Sequence, residues 1–193
     1  MKILGVTGKN GSGKDELIKY LNREYDVPSL SVGDIVRGIA EEEGVEKTRE
    51  NLHDISEKCL SKYGRGYFIT RIIDIIEREK WENVGITGIR TPSDVSILKG
   101  KYGNNFILIY VRVENPRIRY ERIRERGEDR DKMEFKEFLR YDLEEDSQFN
   151  LRDTIRMADL NLDNSGSLND FHRTIDHHVV KPFMMEVSTA KKK

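Results

Sequence analysis

The stretch Gly8-Lys9-Asn10-Gly11-Ser12-Gly13-Lys14-Asp15 constrains the chain more than any other. It follows the apolar run Ile3 to Thr7 and opens an amphipathic stretch carrying Leu17, Ile18 and Leu21. Strand, glycine loop and helix in that order give the pattern G-x-x-x-x-G-K-[ST] its meaning as a polyphosphate cradle. Glycines let backbone N–H groups turn inward around the anion, and the helix N-terminus adds its partial positive charge. Lys14 can then reach the bridging and terminal phosphates. One letter departs from the pattern: Asp15 stands where Ser or Thr would place a hydroxyl on Mg²⁺.

The rest of the chain alternates strand-like and helix-like segments. Val27 to Val32, Val84 to Thr87, Phe106 to Val111 and Ala158 to Asp163 read as further strands. Between them lie helical patterns to about Glu24, from a Gly33-Asp34 turn to Gly44, and over Thr48 to Ser61 and Tyr67 to Lys80. Further helical patterns begin at Thr91-Pro92-Ser93-Asp94 and Asn115-Pro116, run from about Met133 to Gln148, and start after Ser167. Alternation of this kind argues for a parallel sheet of about five strands covered on both faces, with its ligand at the carboxyl ends of the strands.

A chain of 193 residues with 36% hydrophobic and 36% charged residues is long enough for a buried core and too apolar for a disordered segment. A net charge of −1 offers no global attraction to nucleic acid or anionic membrane. The lone Cys59 excludes an internal disulfide and lies on an apolar helix side with Leu52 and Ile55, as a packed thiol does. No apolar run is long enough to span a bilayer, and the expectation is a cytoplasmic protein. None of the four histidines has metal-ligand spacing with cysteines or carboxylates.

Four further stretches carry a family resemblance. Ser31-Val32-Gly33-Asp34-Ile35-Val36-Arg37 resembles the S-T-G-D-x-x-R segment of adenylate kinases, although a plain helix start with Asp34 as cap would read the same way. Gly88-Ile89-Arg90-Thr91 is similar to the D-G-F-P-R-T segment of those enzymes and to the D-x-R segment of deoxynucleoside monophosphate kinases, whose loops can also read G-K-D. Arg117 to Arg130 resembles the start of the lid in these kinases, where an E-R-x-x-x-R spacing carries phosphate-binding arginines. Glu121, Glu125 and Glu128 interleave those arginines, which also suits a solvated helix and argues against nucleic acid as a partner. Ala158 to Leu168 is similar to a segment near the chain end of dephospho-CoA kinases.

With five motifs in family order, the resemblance identifies a P-loop kinase of the nucleoside monophosphate kinase superfamily. It implies a three-layer α/β fold of the P-loop NTP hydrolase type, with an arginine-rich lid. One kinase domain is expected over residues 1–187, with an acceptor-binding helical region at about 33–80, a lid at about 117–150 and a disordered basic tail at 188–193. The implied reaction moves the γ-phosphoryl of ATP, with Mg²⁺, onto a nucleoside or deoxynucleoside monophosphate. By the resemblance, the residues from Gly8 to Asp15 hold ATP together with Asn164, Gly166 and Ser167, which would line the base pocket. Asp34, Arg37 and Arg90 bind the acceptor. Lys14, Arg122, Arg126 and Arg130 stabilise the transferring group, as guanidinium forks suit phosphoryl oxygens.

Thr87 occupies the place of the acidic residue near Mg²⁺, so Asp15 and Thr87 together exchange the usual hydroxyl and carboxylate and keep the inventory of hard oxygen ligands. Dephospho-CoA is an alternative acceptor, though the segment D-V-P-L-L-F-E of its kinases is absent. A nucleotide-binding switch or slow ATPase acting with a protein or RNA partner is the alternative of another class.

Overall fold

A computed structural model describes residues 1–127 and 133–184, with Arg49 described by its backbone alone. Arg130 and the basic tail therefore lie outside the described residues. The elements run β1 (Lys2–Thr7), α1 (Lys14–Tyr25), β2 (Ser29–Ser31), α2 (Val32–Glu42), α3 (Arg49–Tyr63), α4 (Tyr67–Glu79), β3 (Asn83–Thr87) and α5 (Pro92–Tyr102). They continue with β4 (Phe106–Arg112), α6 (Pro116–Arg126), α7 (Phe135–Phe149), α8 (Leu151–Arg156), β5 (Leu160–Asp163), α9 (Leu168–Ile175) and a π-helical segment, Asp176–Met184.

The five strands form one parallel sheet in the order β2-β3-β1-β4-β5. Period-two alternation divides their apolar side chains between two faces. Leu4, Val6, Ile107, Ile109, Val111 and Leu162 pack with α1, α9 and the π-helical segment. Ile3, Val84, Ile86, Phe106 and Leu108 face α4 and α5. Strands buried on both sides explain why β1 and β4 read as continuous apolar runs. The expected three-layer P-loop architecture is thus present.

Two satellite cores flank the sheet. One joins α2, α3 and α4 through Val36, Ile39, Ala40, Ile55, Cys59 and Phe68. The other joins α6 and α7 through Tyr120, Ile123 and Phe138.

Local chemistry sets most boundaries. Thr91 and Asp94 form a capping box at the start of α5, with Pro92 at the first position. Asn115 caps α6 through Arg117 N–H, and Ser167 caps α9 through Asp170 N–H. Two expected boundaries need correction. The second strand spans only Ser29–Ser31, because Val27 turns inward beneath α1 and donates its N–H to the Leu21 carbonyl. No Gly33-Asp34 turn follows it: α2 begins at Val32, and both residues lie in its first turn. Helix α8 was not foreseen; six residues are too few to stand alone. Burial of Leu151, about 2 kcal/mol, and a bond from Thr154 Oγ1 to the Arg90 carbonyl at 2.8 Å hold it.

Candidate nucleotide-binding site

The glycine loop links the end of β1 to α1, beside the ends of both neighbouring strands. Thr7, the last residue of β1, donates its hydroxyl to the Ile89 carbonyl at 2.8 Å and so ties β1 to the turn after β3. Within the loop, Ser12 N–H closes onto the Lys9 carbonyl at 3.1 Å. Gly11 and Gly13 adopt φ of 77° and 94°, a region that disfavours any residue with a Cβ. Space excludes one as well. A Cβ on Gly11 would lie 2.5 Å from the Arg119 carbonyl oxygen, and one on Gly13 would overlap the Asn164 amide.

Asn164 donates from Nδ2 to the Ser12 carbonyl at 2.8 Å, with both residues buried. The turn after β5 therefore completes the loop from behind. Gly166 accepts from Arg122 Nη2 at 3.3 Å, which brings α6 to the same turn. Arg122 Nη1 is buried with no hydrogen-bond partner, and burial lowers the guanidinium's affinity for its proton. A buried donor without an acceptor favours an anion beside it.

Lys14 is half-buried in the first turn of α1. Burial lowers its pKa; Asp15 opposes that shift, Arg90 reinforces it, Glu145 opposes it and Arg126 reinforces it. Arg90, Glu145 and Arg126 thus lie within electrostatic reach of the loop lysine, from the turn after β3, from α7 and from α6. Arg90 Nε lies 3.4 Å from Glu145 Oε1, and its guanidinium sits 5.2 Å from the centre of the Phe149 ring.

Arg37 and Asp34 pair with each other on α2. Arg37 folds back on its own helix, with Nη2 at 2.5 Å and Nε at 3.2 Å from Asp34 Oδ1. The start of α2 touches the Arg90 turn, where Gly88 packs against Val32.

Asp15 is exposed in the first turn of α1, and Thr87 is buried at the end of β3, paired in register with Val6. A carboxylate at a helix N-terminus competes with a phosphate for the same partial charge unless a cation lies between them. Mg²⁺ is commonly held by one or two protein oxygens together with phosphates and water, and the carboxylate of Asp15 and the hydroxyl of Thr87 are oxygens of that kind. No cluster of three or more His, Cys, Asp or Glu among the described residues offers a self-contained metal cage.

Several residues of this site were missed at the level of sequence. Asp142 on α7 is buried and accepts two bonds from Arg119, at 2.6 and 2.8 Å, and one from Lys9 Nζ at 3.0 Å. Burial alone would raise its pKa; Arg119 and Lys9 together hold it below the usual carboxylate range. Arg119 is 2% exposed and also donates to the Asn10 carbonyl at 3.2 Å. Glu145 and Phe149 follow on the same helix. The one legible signal was Asp142 itself, four residues after Phe138 on a helical stripe that also carries Leu139, Glu145, Asp146 and Phe149.

A family model described as an AAA domain matches residues 7–139. A UPF0200 protein of Pyrococcus horikoshii is 33% identical over 183 residues, covering 93% of this chain and 96% of the relative. A UPF0200 protein of Hyperthermus butylicus is 33% identical over 169 residues, 88% of each chain. Among solved structures, a gluconokinase from Sinorhizobium meliloti aligns at TM-score 0.60 and 16% identity, covering 100% of this chain and 98% of its own. A shikimate kinase from Bacteroides thetaiotaomicron aligns at TM-score 0.57 and 15% identity, covering 91% and 95%. At such identities the likeness is one of fold, and the fold is that of P-loop kinases.

Proposed function

The chain belongs to the UPF0200 family and to the AAA-domain family matched over residues 7–139, and from that premise we propose that it is an ATP-dependent phosphotransferase acting on a nucleoside or deoxynucleoside monophosphate. The observation that carries this reading is the convergence of Lys14, Arg90 and Arg126 at the glycine loop. Asp15 and Glu145 offset part of this positive charge, and a polyphosphate meeting an acceptor phosphate would take up the rest.

In this reading the loop amides and Lys14 hold the β- and γ-phosphates of ATP. Asp15 and Thr87 hold Mg²⁺, which neutralises phosphate charge when bound. Arg90 orients the acceptor phosphate, and Arg37 joins it once released from Asp34. Arg122, with its unpaired N–H, and Arg126 stabilise charge on the transferring group. A phosphate oxygen is already nucleophilic, so no strong base is needed. Arg130 belongs to the same proposal by its spacing alone.

A second reading has its own support. Glu145 lies in the field of Lys14 and beside Arg90, where a carboxylate could take the proton of an attacking hydroxyl. That suits dephospho-CoA as acceptor. A nucleotide-dependent switch is the third possibility. The test is ADP release from Mg·ATP by the full chain, with each ribo- and deoxyribonucleoside monophosphate and dephospho-CoA added in turn. Strong stimulation by one monophosphate supports the first reading, and stimulation by dephospho-CoA the second. A low rate unchanged by every acceptor overturns both and leaves the switch.

A further inference from the structure

Phosphoryl transfer as described has no task for the carboxylate of Asp142, which is almost fully enclosed. Its side chain is 8% exposed, and both oxygens are occupied. Oδ1 accepts from Arg119 Nη1 at 2.6 Å; Oδ2 accepts from Arg119 Nη2 at 2.8 Å and from Lys9 Nζ at 3.0 Å. Arg119 Nη1 also donates to the Asn10 carbonyl at 3.2 Å. The Arg119 main chain fills the space above Gly11, where a Cβ would lie 2.5 Å from its carbonyl oxygen. Three successive loop residues, Lys9, Asn10 and Gly11, are therefore gripped by one arginine and one aspartate from α6 and α7.

We propose that Asp142 is a positioning residue for nucleotide binding: through Lys9 and Arg119 it sets the glycine loop in the shape that receives the polyphosphate. This inference rests on the reading of the loop as an ATP site. The physical case is direct. Without the carboxylate, Lys9 and the buried Arg119 would face each other unneutralised, and among the described residues neither side chain has another ionic partner. The first half of the loop would then lose its anchor, while its second half stayed tied through Ser12 and Asn164. Docking of α7 and formation of the loop thus become a single event. A charge interaction between the two would act at either end: nucleotide would favour docked α7, and docked α7 would favour nucleotide.

Binding of Mg·ATP to the full-length chain, measured by calorimetry, tests the proposal in wild type, Asp142→Asn, Asp142→Glu, Lys9→Met and the double variant Asp142→Asn/Lys9→Met. Asp142→Asn is expected to weaken ATP binding roughly tenfold or more while the circular dichroism spectrum stays native. Asp142→Glu should recover part of that loss, and the KM for the acceptor should not move. Because Lys9 acts through Asp142, the double variant should bind about as well as Asp142→Asn alone.

Wild-type affinity in Asp142→Asn would overturn the inference, as would losses that multiply in the double variant. Should Asp142→Asn fail to fold, Lys9→Met decides, since it leaves the Arg119–Asp142 pair intact. A raised KM for ATP at unchanged kcat supports positioning; an unchanged KM, or a fall in kcat alone, overturns it. Wild-type protein that binds no nucleotide would remove the phosphotransferase reading and this inference together, whereas a binding wild type with an equally binding Asp142→Asn removes only the second.

Discussion

The Asn164 side-chain amide lies in the space that a Cβ on Gly13 would need, and from there it donates to the Ser12 carbonyl at 2.8 Å. The glycine is required twice, by its φ of 94° and by the asparagine pressed against it. Gly13→Ala should cost roughly 2–5 kcal/mol, the sum of left-handed strain and a displaced buried hydrogen bond. Asn164→Ala keeps the backbone free but leaves the buried Ser12 carbonyl unpaired, at about 1–3 kcal/mol. Urea denaturation of the two variants checks the order, and both should lose nucleotide affinity.

Lys14 sets stability against activity. Its pKa is lowered by burial first, so between that value and the ordinary 10.5 the unfolded chain holds a proton that the native state has released. Stability therefore rises with pH across that window, and the penalty is fully present below it. Lys14→Met should melt higher than wild type at pH 7 and lose ATP turnover. Thermal melts should show the advantage shrinking as the pH approaches 10.5. An advantage that grows instead would contradict the sign.

The exchanged metal ligands predict a substitution series. Asp15→Ala should abolish Mg²⁺-dependent turnover, whereas Asp15→Ser, which restores a loop hydroxyl, should retain a measurable part of it. Steady-state rates at several Mg²⁺ concentrations read the difference. Full activity in Asp15→Ala would remove Asp15 from the metal site.

Arg90 and Arg37 are separable by kinetics. Arg90→Ala should raise the acceptor KM by roughly ten- to a hundredfold, the scale of one charge-assisted bond, with little effect on the KM for ATP. Arg37→Ala should do the same by a smaller factor, because binding must first break the Arg37–Asp34 pair.

The thiol of Cys59 is 6% exposed, and burial, followed by the charge of Glu43, raises its pKa. Ellman's reagent at pH 8 should react with the native chain on the order of a hundredfold more slowly than with the unfolded chain. Cys59→Ser should leave phosphotransfer unchanged.

Legibility in the sequence followed the range of the interactions. The strands were readable because burial on both faces makes Ile3 to Val6 and Phe106 to Val111 continuously apolar. The capping box at Thr91 and the asparagine cap at Asn115 were readable because each is closed within four residues. The Arg119–Asp142 pair was not, since 23 residues separate its partners and Arg119 is one of five arginines on α6, indistinguishable by spacing. The π-helical continuation after Ile175 was equally hidden, because its course is set by Val179 and Val180 packing against α1 and the sheet. Asn164 was singled out from a resemblance, yet its bond to Ser12 spans 152 residues and no local pattern announces it.

That clasp also bears on how the protein is made. Asn164 is synthesised 152 residues after Ser12, roughly 8–30 s later in translation. During that interval the growing chain carries a glycine loop without the Asn164 bond to the Ser12 carbonyl. The clasp closes late, when the last strand joins the sheet. For the same reason a product truncated ahead of Asn164 would lack the clasp, and no cut between residues 14 and 164 yields a fragment that keeps the whole cradle.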